Sequence, residues 1–90
     1  MKTFKWNMEK NEKLTIERGI SFDEVVERIE SGVSVIETEH PNPGKYPGQR
    51  ILIVEINCYA YMIPFVRNGE EYFLKTIIPG RKATKKYFGG

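Results

Sequence analysis

The chain has no second cysteine, almost no histidine and no apolar run long enough for a bilayer. Cys58 is the only cysteine, which excludes an internal disulfide and fits a reducing cytoplasm. No uninterrupted apolar stretch approaches the roughly 20 residues that a membrane span needs. The opening Met1-Lys2-Thr3-Phe4-Lys5-Trp6-Asn7 lacks the apolar core of a secretory signal. His40, the single histidine, sits before Pro41, and one His with one Cys does not make a structural zinc site. No metal or other cofactor is therefore expected. Cys58 lies between Asn57 and Tyr59, with neither a base nor a cation beside it to activate a thiolate. A Gly-rich phosphate loop, a nucleophile elbow, a repeat and a low-complexity segment are all missing. The carboxylates gather in the helical half. A pair among Glu37, Glu39 and Glu55 has nothing nearby to drive two pKa values apart.

What is present is an uneven distribution of charge. From Tyr72 to Gly90 there are five Lys/Arg and no Asp or Glu, whereas Met1 to Glu71 carries nine against twelve, a net −3. The whole-chain charge of +2 hides this polarity. A cationic end suits an anionic partner, nucleic acid above all, and equally serves as a solvated tail. A chain of 90 residues makes one domain, 1–90, with a modest core, so a shallow groove is the expected site geometry.

Local signals predict the elements. Phe4 to Trp6 reads as a short extended piece. Asn7 caps a helix from Met8 to Arg18 that stops at Gly19, with only Met8, Leu14 and Ile16 on its thin apolar face. Ser21-Phe22-Asp23-Glu24 is a capping box, with Ile20 and Val25 as the hydrophobic staple. Phe22, Val25, Val26 and Ile29 share one face of the helix that follows, and Gly32 ends it. Val33–Glu37, Arg50–Ile56, Tyr59–Val66 and Tyr72–Ile78 read as strands. Asn57-Cys58 is a tight hairpin, and Asn68-Gly69 is a type I′ signal. Pro64 implies an exposed edge or a bulge. The loop His40–Gln49, with three prolines and two glycines, is long enough to lie over a sheet face. Arg81–Tyr87 predicts a short helix after Pro79-Gly80. Helices followed by strands predict an α+β fold, two N-terminal helices on one face of an antiparallel meander of three to four strands.

The cations and polar aromatics form one candidate set: Lys10, Arg18, Arg50, Lys75, Arg81, Lys82, Lys85, Lys86, Tyr72 and Tyr87. Such a set can hold RNA, or cleave it without metal when the ribose 2′-OH attacks the adjacent phosphate. Fixed guanidinium and ammonium groups then stabilise the charge that gathers on the phosphoryl oxygens. Proton transfer by a Lys or Tyr set among cations completes that chemistry.

The residues also carry a family resemblance. Phe4-Lys5-Trp6-Asn7, Lys10-Asn11 and Glu17-Arg18-Gly19-Ile20-Ser21-Phe22-Asp23-Glu24 resemble the opening of the BrnT family. Ile77-Ile78-Pro79-Gly80-Arg81-Lys82-Ala83-Thr84-Lys85-Lys86 is similar to its closing motif, and Arg50 opens a strand where that family also has an arginine. The resemblance implies a RelE-like fold and a cytoplasmic toxin of a bacterial type II toxin–antitoxin module. Its implied activity is a metal-independent RNA endonuclease that inhibits translation. The implied partners are RNA and a cognate antitoxin from a neighbouring gene, in a hetero-oligomer, with no membrane. Arg50, Arg81 and Lys82 become the candidates for phosphate binding and transition-state charge, and Lys10 and Tyr87 for proton transfer or base stacking. Arg18, Lys75, Lys85 and Lys86 become RNA contacts. Arg18 stands where the family has a histidine, and the Pro-rich loop and Pro64 lie outside the pattern. A group of BrnT-related small domains implies the alternative, a non-catalytic RNA-binding or protein-interaction domain. The shared expectation is that Arg50, Arg81 and Lys82 face one groove.

Overall fold

The computed structural model describes residues 2–32, 35–82 and 85. The elements in chain order are β1 (Thr3–Trp6), α1 (Met8–Arg18), α2 (Phe22–Glu30), β2 (Val35–Glu39), β3 (Gln49–Ile56), β4 (Tyr59–Asn68), β5 (Glu71–Leu74) and β6 (Ile78–Pro79). The fold is α+β, with two helices preceding most of the sheet.

Both helices begin and end where local chemistry dictates. The Asn7 side chain accepts from the Lys10 N–H at 2.9 Å, and Ser21 Oγ accepts from the Glu24 N–H at 3.1 Å. Each thereby satisfies one of the orphan donors of a first turn. Gly19 closes α1 with φ 68°, a left-handed position that favours glycine. The two helices are locked together by Asn11, whose Oδ1 accepts from the Phe22 N–H at 2.7 Å while its amide donates to Asp23 at 3.0 Å.

The sheet has the order β1-β5-β4-β3-β2, with β6 beside β4. It is mixed rather than a pure meander, because β1 pairs in parallel with β5, Phe4 opposite Tyr72 and Trp6 opposite Leu74. The expectation of three to four antiparallel strands therefore falls short: the N-terminal extended piece enters the sheet. The reason is that Phe4 and Trp6 then lie on the same face as Phe65, Tyr72 and Leu74. Phe4 packs on Tyr72 (5.6 Å between ring centroids), Phe65 stacks on Tyr72 (5.0 Å) and Trp6 stacks on Phe22 (5.8 Å).

One face of the sheet carries the main core, built from Leu52, Val54, Ile56, Ile63, Phe65, Tyr72 and Leu74 under Leu14, Ile20, Phe22 and Val25. Val26 and Ile29 are half-buried at its margin. On α1 only Leu14 is buried, while Met8 and Ile16 are 73% and 85% exposed. The opposite face holds a smaller cluster of Ile51, Ile53 and Ala60, flanked by Ile36 and Met62.

Two turns join β3 to β4 and β4 to β5. Asn57 and Cys58 both have positive φ (54° and 62°), the signature of a type I′ hairpin. The second turn is displaced by one residue from the Asn68-Gly69 expectation. Asn68 stays in the ladder opposite Glu71, and the loop is Gly69-Glu70 with positive φ at Gly69 only. In this register the Arg67 guanidinium lies 5.4 Å over the Tyr72 ring.

Candidate nucleic-acid interface

The strand feature that shapes the surface is Pro64. It sits inside β4, opposite Ile51, and is buried. A proline has no N–H to give a ladder, and the partner strand breaks beside it. Phe65 opposes Leu74, whereas Met62 opposes Ile78. Three steps along β4 thus match four along the facing chain, which is one extra residue, a β-bulge at Lys75–Ile77. Lys75 N–H donates to the Pro64 carbonyl at 2.8 Å. Ile77 turns into the main core, fully buried. Lys75 and Ile78 then emerge on the same side as Pro64, although residues three apart in a regular strand point to opposite faces.

The Pro-rich loop supplies the other wall. Asn42 organises it: its side chain accepts from the Lys45 N–H at 3.2 Å, its carbonyl accepts from the Tyr46 N–H at 3.0 Å, and its own N–H donates to His40 Nδ1 at 3.0 Å. The His40 and Tyr46 rings pack at 4.5 Å, and Lys45 Nζ lies 5.4 Å over the Tyr46 ring. Between loop and bulge runs an open groove of about 370 Å3 lined by His40, Tyr46, Gln49, Pro64, Lys75, Thr76 and Ile78. Neither the Gln49 carboxamide nor the Thr76 hydroxyl is engaged by another side chain among the described residues. The groove combines aromatic rings, an apolar wall, one ammonium, a carboxamide and a hydroxyl. With Nδ1 accepting the hydrogen bond from the Asn42 N–H, the ring hydrogen of His40 sits on Nε2.

The expected composite of Arg50, Arg81 and Lys82 does not form. Arg50 opens β3 opposite Phe65, whereas Gly80 N–H donates to Ala60, whose partner is Glu55. Five residues of strand separate those levels, about 17 Å at the usual rise, and β6 lies on the far side of β4 from β3. Arg50 also shares the helix-side face of Leu52 and Val54, where its Nε donates to Glu37 at 2.7 Å. Arg81 and Lys82 are exposed and helical, as is Lys85. They follow Ile78 by three, four and seven residues, so Arg81 lies within about 10 Å of the groove wall along the chain.

The remaining candidates separate. Lys75 lines the groove, with its Nζ 5.0 Å over the Phe73 ring. Lys10 is half-buried in the first turn of α1. Lys86 and Tyr87 lie outside the described residues. Arg18 has a structural task instead: its Nη1 donates to the Ile77 carbonyl at 2.5 Å, tying the end of α1 to the bulge. Replacing Arg18 with glutamine is expected to cost about 1 kcal/mol, read from urea unfolding, and to leave the salt dependence of RNA binding unchanged. A flattened salt slope with unaltered stability would return Arg18 to the set of phosphate contacts.

Sequence reasoning missed His40, Tyr46, Gln49 and Thr76. The signal was present in two parts, a proline inside a strand and a ten-residue loop able to reach over the sheet. Nothing local joined them. Among the described residues no cluster of His, Cys, Asp and Glu can hold a metal ion, and no helix is long and apolar enough to cross a membrane. No protein-family model, no curated protein and no solved structure matches this chain.

Proposed function

We infer that this chain binds single-stranded RNA, as the toxin of a BrnT-like module whose neutralising partner is a cognate antitoxin. The observation that carries the reading is the juxtaposition of the Lys75 groove with the exposed Arg81, Lys82 and Lys85 on the same chain segment. Ammonium and guanidinium groups neutralise phosphates, and aromatic walls accept unstacked bases. A duplex keeps its bases paired and stacked, so the groove suits an unpaired strand.

Holding RNA fits this geometry better than cutting it. Arg50 pairs through Nε with Glu37 and Arg18 donates to Ile77, and Arg81 lies at the other end of the ladder from Arg50. His40 has its one lone pair occupied by Asn42 and so has no free site to take the 2′-OH proton. The endonuclease reading is favoured by one observation, that His40 and Lys75 line a common groove. An imidazole and an ammonium are the group types such cleavage uses. If the loop moves and frees Nδ1, both are in place.

One experiment separates the two. The protein is incubated with 5′-labelled single-stranded RNA in excess EDTA, and both retention and fragment ends are followed. The expected result is retention of intact RNA, with Lys75→Ala lowering the slope of log K against log salt by about 0.7. Fragments with 2′,3′-cyclic phosphate ends that vanish in His40→Ala would establish metal-independent cleavage instead. Equal binding of single-stranded and duplex RNA would count against the groove as the contact.

A further inference from the structure

We propose that the groove between the Pro-rich loop and the β-bulge is a base-discriminating subsite for one unpaired ribonucleotide. This rests on the RNA reading above and assigns individual roles within it. Tyr46, tilted by 35° against His40 at 4.5 Å between ring centroids, supplies the aromatic surface on which a base stacks. Lys75, brought to the same face by the bulge, meets the adjoining phosphate. Gln49 stands at the first position of β3, where its backbone N–H is anchored to the Tyr46 carbonyl at 3.2 Å. Its carboxamide therefore has a fixed origin within the loop that carries the stacking ring. A carboxamide offers one acceptor and two donors in one plane, and that pattern matches a base edge presenting a donor beside an acceptor. Thr76 adds a hydroxyl on the opposite wall.

The chemistry of the groove selects its occupant. The walls are apolar and aromatic, and among the described residues the lining carries one formal charge, the Lys75 ammonium, and no carboxylate. A flat, uncharged, hydrogen-bonding ring joined to an anion matches all three properties. The volume of about 370 Å3 suits a ligand of that size. An anion without a ring would leave the Tyr46 surface and the Gln49 carboxamide unused, and an apolar peptide side chain would leave Gln49, Thr76 and Lys75 desolvated without partners.

The test measures binding of hexamers rA6, rC6 and rU6 by fluorescence anisotropy to the wild type and four variants. The wild type is expected to prefer one base by about fivefold or more. Gln49→Ala should bring the three hexamers within about twofold of one another while retaining most of the affinity for the weaker ones. Tyr46→Ala should weaken all three by about tenfold, and Tyr46→Phe should restore binding, which separates stacking from a loss of loop structure. Arg81→Ala/Lys82→Ala should weaken all three and keep the preference. If Gln49→Ala and Tyr46→Ala bind like the wild type while the Arg81/Lys82 variant is weakened, the subsite is wrong and the RNA reading stands. If the wild type binds none of the hexamers, the RNA reading fails, and the subsite with it.

Discussion

Replacing Phe22 with alanine is expected to cost about 3 to 5 kcal/mol of stability. Phe22 is fully buried, stacks on Trp6, and carries the N–H that joins α2 to Asn11 of α1. It opens α2 inside the main core beside Trp6 of β1, so its removal leaves a cavity there. A domain of this size has roughly 5 to 15 kcal/mol in total, and the variant is expected to be partly unfolded at 37 °C. Urea unfolding followed by tryptophan fluorescence reads the change directly, because Trp6 is the only tryptophan and touches the deleted ring. Ile29→Ala, on the same helix face but half-buried at the core margin, should cost roughly 1 to 2 kcal/mol. An Ile29 loss equal to or larger than the Phe22 loss would show that the outer end of α2, not its start, anchors the helices.

Changing Arg81 and Lys82 together to alanine is expected to abolish growth inhibition by the free protein while leaving it folded. Both side chains are exposed, just past the Pro79-Gly80 break. Surface changes of this kind shift stability by about 0.5 kcal/mol or less. Removing two phosphate contacts should lower the salt slope of single-stranded RNA binding by about 1.4. Circular dichroism on both proteins, growth curves after induction, and binding at several salt concentrations make the comparison. A folded double variant that stays fully toxic with an unchanged slope would reduce the cationic end to a solubilising tail.

The two predictions concern parts of the molecule that differ in how far they could be read in advance. The position of Phe22 was legible because the capping box and the 3.6-residue spacing are local, and burial of that face follows wherever a sheet is available. The gradation along the face, from fully buried Phe22 to half-buried Ile29, was not legible, since it depends on how far β2 and β3 extend beneath α2. The exposure of Arg81 and Lys82 was legible from the Pro-Gly break. Their separation from Arg50 was not, since it depends on β6 docking at the Tyr61–Met62 end of β4.

The sequence by itself determined the helices, their caps, the Asn57-Cys58 turn, the α+β order and the cationic end. The helices, caps and turn rest mainly on interactions between residues a few positions apart, and the element order and the cationic end are read directly along the chain. Only the tertiary structure decided that β1 joins β5 in parallel, that the second hairpin turns at Gly69-Glu70, and that Arg18 holds Ile77. It alone decided that Pro64 converts the facing strand into a bulge. That bulge turns Lys75 and Ile78 to one face, and the loop from His40 to Gln49 closes the groove over them. Pairing register is a choice among alternatives that local propensity leaves nearly equal in energy, and it is settled by which of them buries Phe4, Phe65, Tyr72 and Leu74 together.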